Sequence, residues 1–235
     1  VYFLNPDTEL AHGGLHKDSL WTLYQAVCED ATAGMAGPRL RYADNSLQPS
    51  VRRFPTPPAG FFESTWLGRA WPRNPWSRSL HMTDWQVGWA QAVDWIVGAA
   101  MLCRRTALQT IMQEGDSGPF DEGYFMYSEE VDLALRLHLE GWHTLWIPQA
   151  LVIHYEGRSS DQAVAARHLY FNRSKIRYWR KWFGPRWSEA LRRYLLLEYR
   201  LQLLLERAKW LVGHKRALRK QRIDVYKQVI ESGFE

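Results

Sequence analysis

Apolar residues fall in short runs over the first two thirds of the chain and at helical spacing over the last third. The run Val1-Tyr2-Phe3-Leu4 predicts a buried strand, and Asn5-Pro6-Asp7 predicts the loop that ends it. A chain that opens inside a strand is expected to have a segment ahead of it. Leu15, Leu20, Leu23, Tyr24 and Val27 predict a helix over about residues 15–29. Gly34 to Tyr42 reads as a strand, Ala43-Asp44-Asn45-Ser46 as a turn, and Leu47 to Phe54 as a returning hairpin strand. Pro55 to Trp89, rich in Pro, Gly, Trp and Arg, predicts a long loop or lid. Val93 to Cys103 predicts a central strand, and Phe120-Asp121-Glu122-Gly123 a turn. Ser128 is placed to cap a helix from Glu129 to Glu140, which Gly141 stops. His143 to Ile147 and Ala150 to His154 predict two short strands around Pro148. After Gly157 the pattern is helical to the end. The class expected is α/β with a helical tail.

Composition narrows this picture in a few places. The chain has 235 residues, enough for one domain with a core and a smaller appendage. Thirteen Trp residues are many, and Trp suits sugar sites, lipid interfaces and protein interfaces alike. Cys28 and Cys103 stand alone, which argues against a disulfide scaffold or zinc site and fits a reducing compartment. No apolar run approaches the roughly 18 residues of a membrane span. No secretory signal pattern opens the sequence. The net charge of +5 conceals an asymmetry: His168 to Glu235 holds 17 Lys/Arg against 6 Asp/Glu. Acidic residues therefore gather in the first region and basic residues in the second.

Three places carry candidate chemistry. Asn5-Pro6-Asp7 follows a strand, where α/β sheets bind ligands, and a carboxylate there can hold Mg or Mn against a diphosphate. Asp7 could equally cap a helix or shape a turn. The second place is Glu129, Glu130 and Asp132, three carboxylates crowded at a helix start beside the aromatic run Tyr124-Phe125-Met126-Tyr127. Acids are favoured there by free N–H groups and the helix dipole, so this could be ordinary capping. A carboxylate kept ionised in that way could also act as a general base. The third is His154, emerging from an apolar strand, either a structural histidine or a metal ligand at a strand end.

In order along the chain, "LNPDTEL", "GPRLRYADNSLQPSVRRFPTP", "VDWIVGAAMLCRRTAL" and "FDEGYFMYSEEVDLALRLHLEGWHTLWIPQALVIHYEG" resemble family-2 glycosyltransferases of the rhamnosyltransferase kind. The resemblance covers about Val1 to Ser160. It implies the C-terminal part of a GT-A (nucleotide-diphospho-sugar transferase) fold over residues 1–160, followed by a basic amphipathic helical tail over 161–235. It also implies a strand, a nucleotide-base pocket and an Asn-rich helix ahead of Val1. Asp7 matches the family's metal-binding carboxylate, with Asn5 in the place of the first Asp. His154 matches a His that helps hold metal and diphosphate. Glu130 matches the catalytic base and Glu129 its neighbour, while Asp132 and Arg136 match the remainder of that helix as substrate-binding residues. Trp95 and Gly98 match the segment lining the acceptor pocket. Two departures stand out: Glu130 is one methylene longer than the commoner Asp, and Glu156 replaces a common Gly.

The resemblance implies an inverting transfer of a rhamnose-like sugar from a dTDP-, UDP- or GDP-linked donor, with divalent Mg or Mn as cofactor. The acceptor implied is a cell-surface polysaccharide or lipid-linked precursor. One base suffices, because the donor is already activated, whereas inverting glycosidases need two carboxylates. An inactive or split fragment that binds glycan or protein is the alternative. In the tail, Tyr194, Leu197, Leu201, Leu204, Leu205, Ala208 and Val212 share one helical face, and Arg193, Arg200 and Arg207 another. That pattern fits either an anionic membrane surface or a helical hairpin packed on a catalytic domain. No nucleic-acid-binding module accompanies the basic charge, so nucleic acid is not an expected partner. The location implied is cytoplasmic, with peripheral contact at the inner face of the plasma membrane.

Overall fold

The computed structural model describes residues 1–10, 18–82, 88–155 and 164–235. Part of the predicted helix at 15–29, the end of the predicted lid, and Glu156 lie outside these residues. The described chain forms two compact units, the first of residues 1–55, 78–123 and 129 through the end of the last strand. The second joins residues 56–77 and 124–128 to the C-terminal helices.

The first unit is built on a seven-stranded sheet. Its path runs β1 (Tyr2–Leu4), β8 (Ala100–Cys103), β3 (Ala33–Arg41), β9 (His143–His154) and β2 (Thr8–Leu10), with β4 (Leu47–Gln48) on β3 and β6 (Gln91–Val93) on β9. β3 and β9 pair in parallel, and the other pairs of this sheet are antiparallel. A separate two-stranded ladder joins β5 (Val51–Arg52) to β7 (Trp95–Ile96). The mixed α/β class expected from the sequence is therefore present, with a central sheet and a helical C-terminus.

Side chains alternate across the pleat, so neighbours in a strand reach different layers. Met35, Cys103 and Trp146 pack with Ala107 of α5 (Arg105–Ile111) and with Leu133 and Leu137 of α6 (Glu129–Leu139). Ala36, Leu102 and Ile147, each the strand neighbour of one of these, pack with Leu23 and Val27 of α1 (Ser19–Glu29). The sheet centre is thus covered on both faces, which explains why β3 is buried almost throughout. Gly37 has a packing role: a Cβ there would lie 2.2 Å from Ile96 Cδ1, so β3 must be bare where β7 crosses.

Several expectations are revised. Among the described residues β1 lies at the end of the sheet path and is half-buried. Val93 to Cys103 is not one strand: its three pieces β6, β7 and β8 pair with β9, β5, and β1 with β3, respectively. The two strands expected around Pro148 are one strand, β9, whose register against β3 shifts between Pro38 and Arg39. An irregularity of that kind accommodates a residue that cannot donate to the ladder. The expected lid contains three short helices, α2 (Ala59–Phe62), α3 (Trp66–Ala70) and α4 (Pro75–His81).

The second unit holds α7 (Val164–Phe183), α8 (Pro185–Leu211) and α9 (Arg216–Ser232). Residues 56–77 belong with these helices, so the boundary expected at 160 does not describe the whole division. Buried Glu198 of α8 accepts from the Trp66 N–H at 2.9 Å, from Arg69 Nη2 at 3.2 Å and from Gln202 at 2.7 Å. Buried Lys175 of α7 donates to the Glu63 carbonyl at 2.8 Å. These partnered buried charges tie the short helices to the long ones. Leu191, Leu195, Leu196 and Tyr199 form the packed side of α8. The apolar face read from the sequence as fitting either a membrane surface or helix packing is largely exposed: Leu197 is 53% accessible, Leu201 46%, Leu204 60% and Leu205 58%.

Candidate active site

Backbone pairing assembles two neighbouring sets of side chains. The β1–β8 ladder ends at Leu4 opposite Ala100, and the Asn5 N–H then donates to the Ala99 carbonyl at 2.9 Å. This places Asn5 beside the Gly98 turn. Gly98 in turn lies against Glu130, since a Cβ built on it would sit 3.4 Å from Glu130 Cβ. The result is a cleft of about 440 Å³ lined by Tyr2, Phe3, Leu4, Asn5, Gly98, Met101, Phe120, Glu129 and Glu130.

Glu130 is half-buried at the wall of this cleft, with one carboxylate oxygen shut off from solvent. Burial, with Glu129 beside it, pushes its carboxyl up to about 7, although N–H groups of Gly98 and Val131 donate to it. Glu129 is shifted upward as well, by burial. One oxygen of each, Oε2, is buried without a hydrogen-bond partner among the described residues. The helix start was expected to keep this carboxylate ionised. Desolvation outweighs the helix end, so the Glu130 carboxyl is held above the ordinary carboxylate range. Nor does Ser128 take the extended backbone usual for a cap: Tyr127 and Ser128 have φ of 70° and 64°.

The second set comes from the far side of the same turn. β2 pairs with β9 so that Thr8 faces His154, and the Tyr155 N–H donates to the Asp7 carbonyl at 2.8 Å. That register brings Asp7 Oδ1 within 3.3 Å of His154 Nε2. His154 Nδ1 lies 3.1 Å from Gln48 Oε1. If Nδ1–H donates to that oxygen, the Nε2 lone pair faces the Asp7 carboxylate, and a proton or cation must sit between two acceptors. One carboxylate oxygen and one imidazole nitrogen are suitable donors for a divalent ion. Among the described residues no group of three or more His, Cys, Asp or Glu is placed to hold a metal. A divalent ion on this pair would need water and substrate phosphates to complete its coordination.

The remaining predicted residues lie differently. Asp132 is fully buried in an ion pair with Arg136, Nε to Oδ2 3.0 Å, and Arg136 also donates to the Pro119 carbonyl. Expected to bind substrate, the two brace the segment that carries Phe120. Trp95 packs against the main core, and its Nε1–H donates to the Arg53 carbonyl at 2.9 Å. The cleft residues Tyr2, Phe3, Met101 and Phe120 were not singled out in the sequence. The one available signal was that β1 leads straight into Asn5 and that Phe120 opens the motif leading to Glu130.

The described chain is thus an α/β protein with a cleft at the end of β1, lined by Glu129 and Glu130, and with an Asp7–His154 pair held by the β2–β9 ladder. No family model matches the chain. The chain is rhamnosyltransferase-like in sequence. It is 34% identical over 214 residues to N-acetylglucosaminyl-diphospho-decaprenol L-rhamnosyltransferase of Mycobacterium tuberculosis, covering 86% of this chain and 65% of that protein. It is 30% identical over 179 residues to rhamnosyltransferase WbbL of Escherichia coli K12, covering 76% of this chain and 60% of that one. A shorter match, 28% over 115 residues, is to the O-antigen biosynthesis protein RfbC of Myxococcus xanthus, covering 49% of this chain and 8% of that protein. The chain thus spans just under two thirds of the length of the curated relatives it matches first.

Proposed function

We propose that this chain is the acceptor-side part of an inverting GT-A-type glycosyltransferase. It moves rhamnose or a related sugar from a nucleotide-diphosphate donor to a lipid-linked or polysaccharide acceptor. The observation that carries the reading is Glu130: a half-buried carboxyl raised to about 7, with a shielded and unpartnered oxygen, lining a cleft large enough for a sugar. The two rhamnosyltransferases matched over most of this chain support the class of donor and acceptor.

In this mechanism Glu130 accepts the proton of the acceptor hydroxyl. The hydroxyl oxygen bonds to the anomeric carbon on the face opposite the leaving group, the carbon–phosphate oxygen bond breaks, and the nucleoside diphosphate departs with that electron pair. Asn5 and Gly98 bound the cleft beside the base. Asp7 and His154 would hold a divalent ion, which when bound offsets the charge of the leaving diphosphate. Such an acceptor and donor meet at the cytoplasmic face of a membrane, where the protein acts as a peripheral enzyme. Among the described residues no helix is long and apolar enough to cross a membrane.

The test is transfer of labelled rhamnose from dTDP-, UDP- and GDP-linked donors to N-acetylglucosaminyl-diphospho-polyprenol, using the full-length protein with Mg or Mn. The reading predicts metal-dependent transfer from one donor with inversion at the anomeric carbon. Retention of configuration, or binding of glycan without transfer, would contradict it.

A further inference from the structure

The turn joining α8 to α9 combines features that a water-facing helical hairpin does not need. From Leu204 to Leu218 every residue except Glu206 is exposed. Leu211 is 69% and Val212 81% accessible, at the outermost turn of the hairpin, with Leu204, Leu205, Trp210 and Leu218 exposed nearby. Large apolar side chains gathered at a helix tip leave apolar area in water without covering any core.

The charges around this tip have one sign. Arg207, Lys209, Lys215, Arg216 and Lys220 are all exposed. The single carboxylate in the stretch is buried and committed: Glu206 Oε2 lies 2.8 Å from Arg219 Nη1, and Glu206 Oε1 3.4 Å from Lys209 and 3.8 Å from Arg222. Arg219 Nη2 also lies 3.2 Å from His214 Nδ1, which ties the turn to the helix pair. Arg216 stacks its guanidinium 5.4 Å from the Trp210 ring centre and donates from Nε to the Trp210 carbonyl at 3.3 Å. The tip is therefore a braced apolar wedge ringed by bases.

We propose that the α8–α9 tip is a membrane-docking wedge, with Trp210, Leu211 and Val212 entering the headgroup boundary of an anionic bilayer while the surrounding bases meet lipid phosphates. The proposal deepens the proposed function by naming its membrane surface, and it rests on that reading only for the purpose of docking. Charge complementarity selects the occupant. A second copy of the same tip would bring two sets of bases together, whereas an anionic lipid surface attracts them and accepts the apolar side chains.

The test is co-sedimentation of the full-length protein with phosphatidylcholine vesicles, with and without about a third phosphatidylglycerol. Binding should require the anionic lipid. It should fall at least about tenfold in 1 M salt, where charges are screened beyond about 3 Å. The double substitution Leu211→Glu/Val212→Glu should weaken binding about tenfold or more, with helical circular dichroism and Tm unchanged. Leu211→Phe/Val212→Leu should keep it. Undiminished binding by the glutamate variant, equal binding to neutral vesicles, or a wild-type dimer that the glutamate variant dissolves would overturn the proposal. Because vesicle binding needs no sugar transfer, failure of the transferase reading would leave this result standing, and the reverse.

Discussion

Glu130 is subject to two opposing influences, and their balance makes testable statements about single residues. Burial and the neighbouring Glu129 carboxyl raise its proton affinity, while backbone N–H groups lower it, and the net result is about 7. If Glu130 is the base, kcat/KM should be lost on the acid side with an apparent midpoint near 7 rather than in the usual carboxylate range. Glu129→Gln removes a negative neighbour, so the midpoint should move to lower pH. An unmoved profile would take Glu129 out of that role. Stability follows the same shift. A group whose folded pKa is raised contributes stability below its ordinary value of 4.5, and that contribution is lost as pH rises through about 7. Glu130→Gln should therefore raise Tm at pH 8 and leave it nearly unchanged at pH 4.5, as thermal melts at the two values would show. A lower Tm at pH 8 would contradict the buried-carboxylate account. The residue types of this site were legible in the sequence: Asp7, Glu129, Glu130 and His154 were all expected to matter. The direction of the Glu130 shift was not. It is set first by burial and then by Glu129, against the lowering effect of backbone N–H groups, and a helix-start argument sees only the last of these.

At the scale of elements, α6 carries Glu130 and is itself anchored by Asp132 and Arg136. Asp132 is completely buried, so removing the guanidinium beside it should cost about 3–5 kcal/mol. Arg136→Ala is expected to lower stability by that order in denaturant unfolding, and Asp132→Asn/Arg136→Met to recover part of the loss. If instead Arg136→Ala leaves stability intact and raises KM alone, the pair contacts substrate as the resemblance implied. The periodicity located α6, β3 and α1 well, because each carries a strong one-sided or fully apolar pattern. It misjudged Val93 to Cys103, where one apolar run feeds three different ladders. It also misjudged β9, where Pro148 suggested a break that a register shift absorbs. Short apolar runs do not say which partner each segment will find.

Across the whole molecule, charge and apolar pattern separate as the sequence indicated, with the basic part in the C-terminal helices. The composition did not reveal that residues 56–77 and 124–128 would join those helices, since that grouping rests on long-range bonds such as Trp66 to Glu198 and Ser174 to the Met126 carbonyl. The exposed Leu face of α8 was visible as a pattern, and the structure shows that other leucines of the same helix make the core contacts. Most of the account converges on one carboxylate. Its most direct test is single-turnover sugar transfer by full-length wild-type protein and the Glu130→Gln variant, with donor affinity measured for both by titration calorimetry. The account predicts a fall in turnover of about 10²-fold or more with donor binding nearly intact. Near-normal turnover in Glu130→Gln would contradict it.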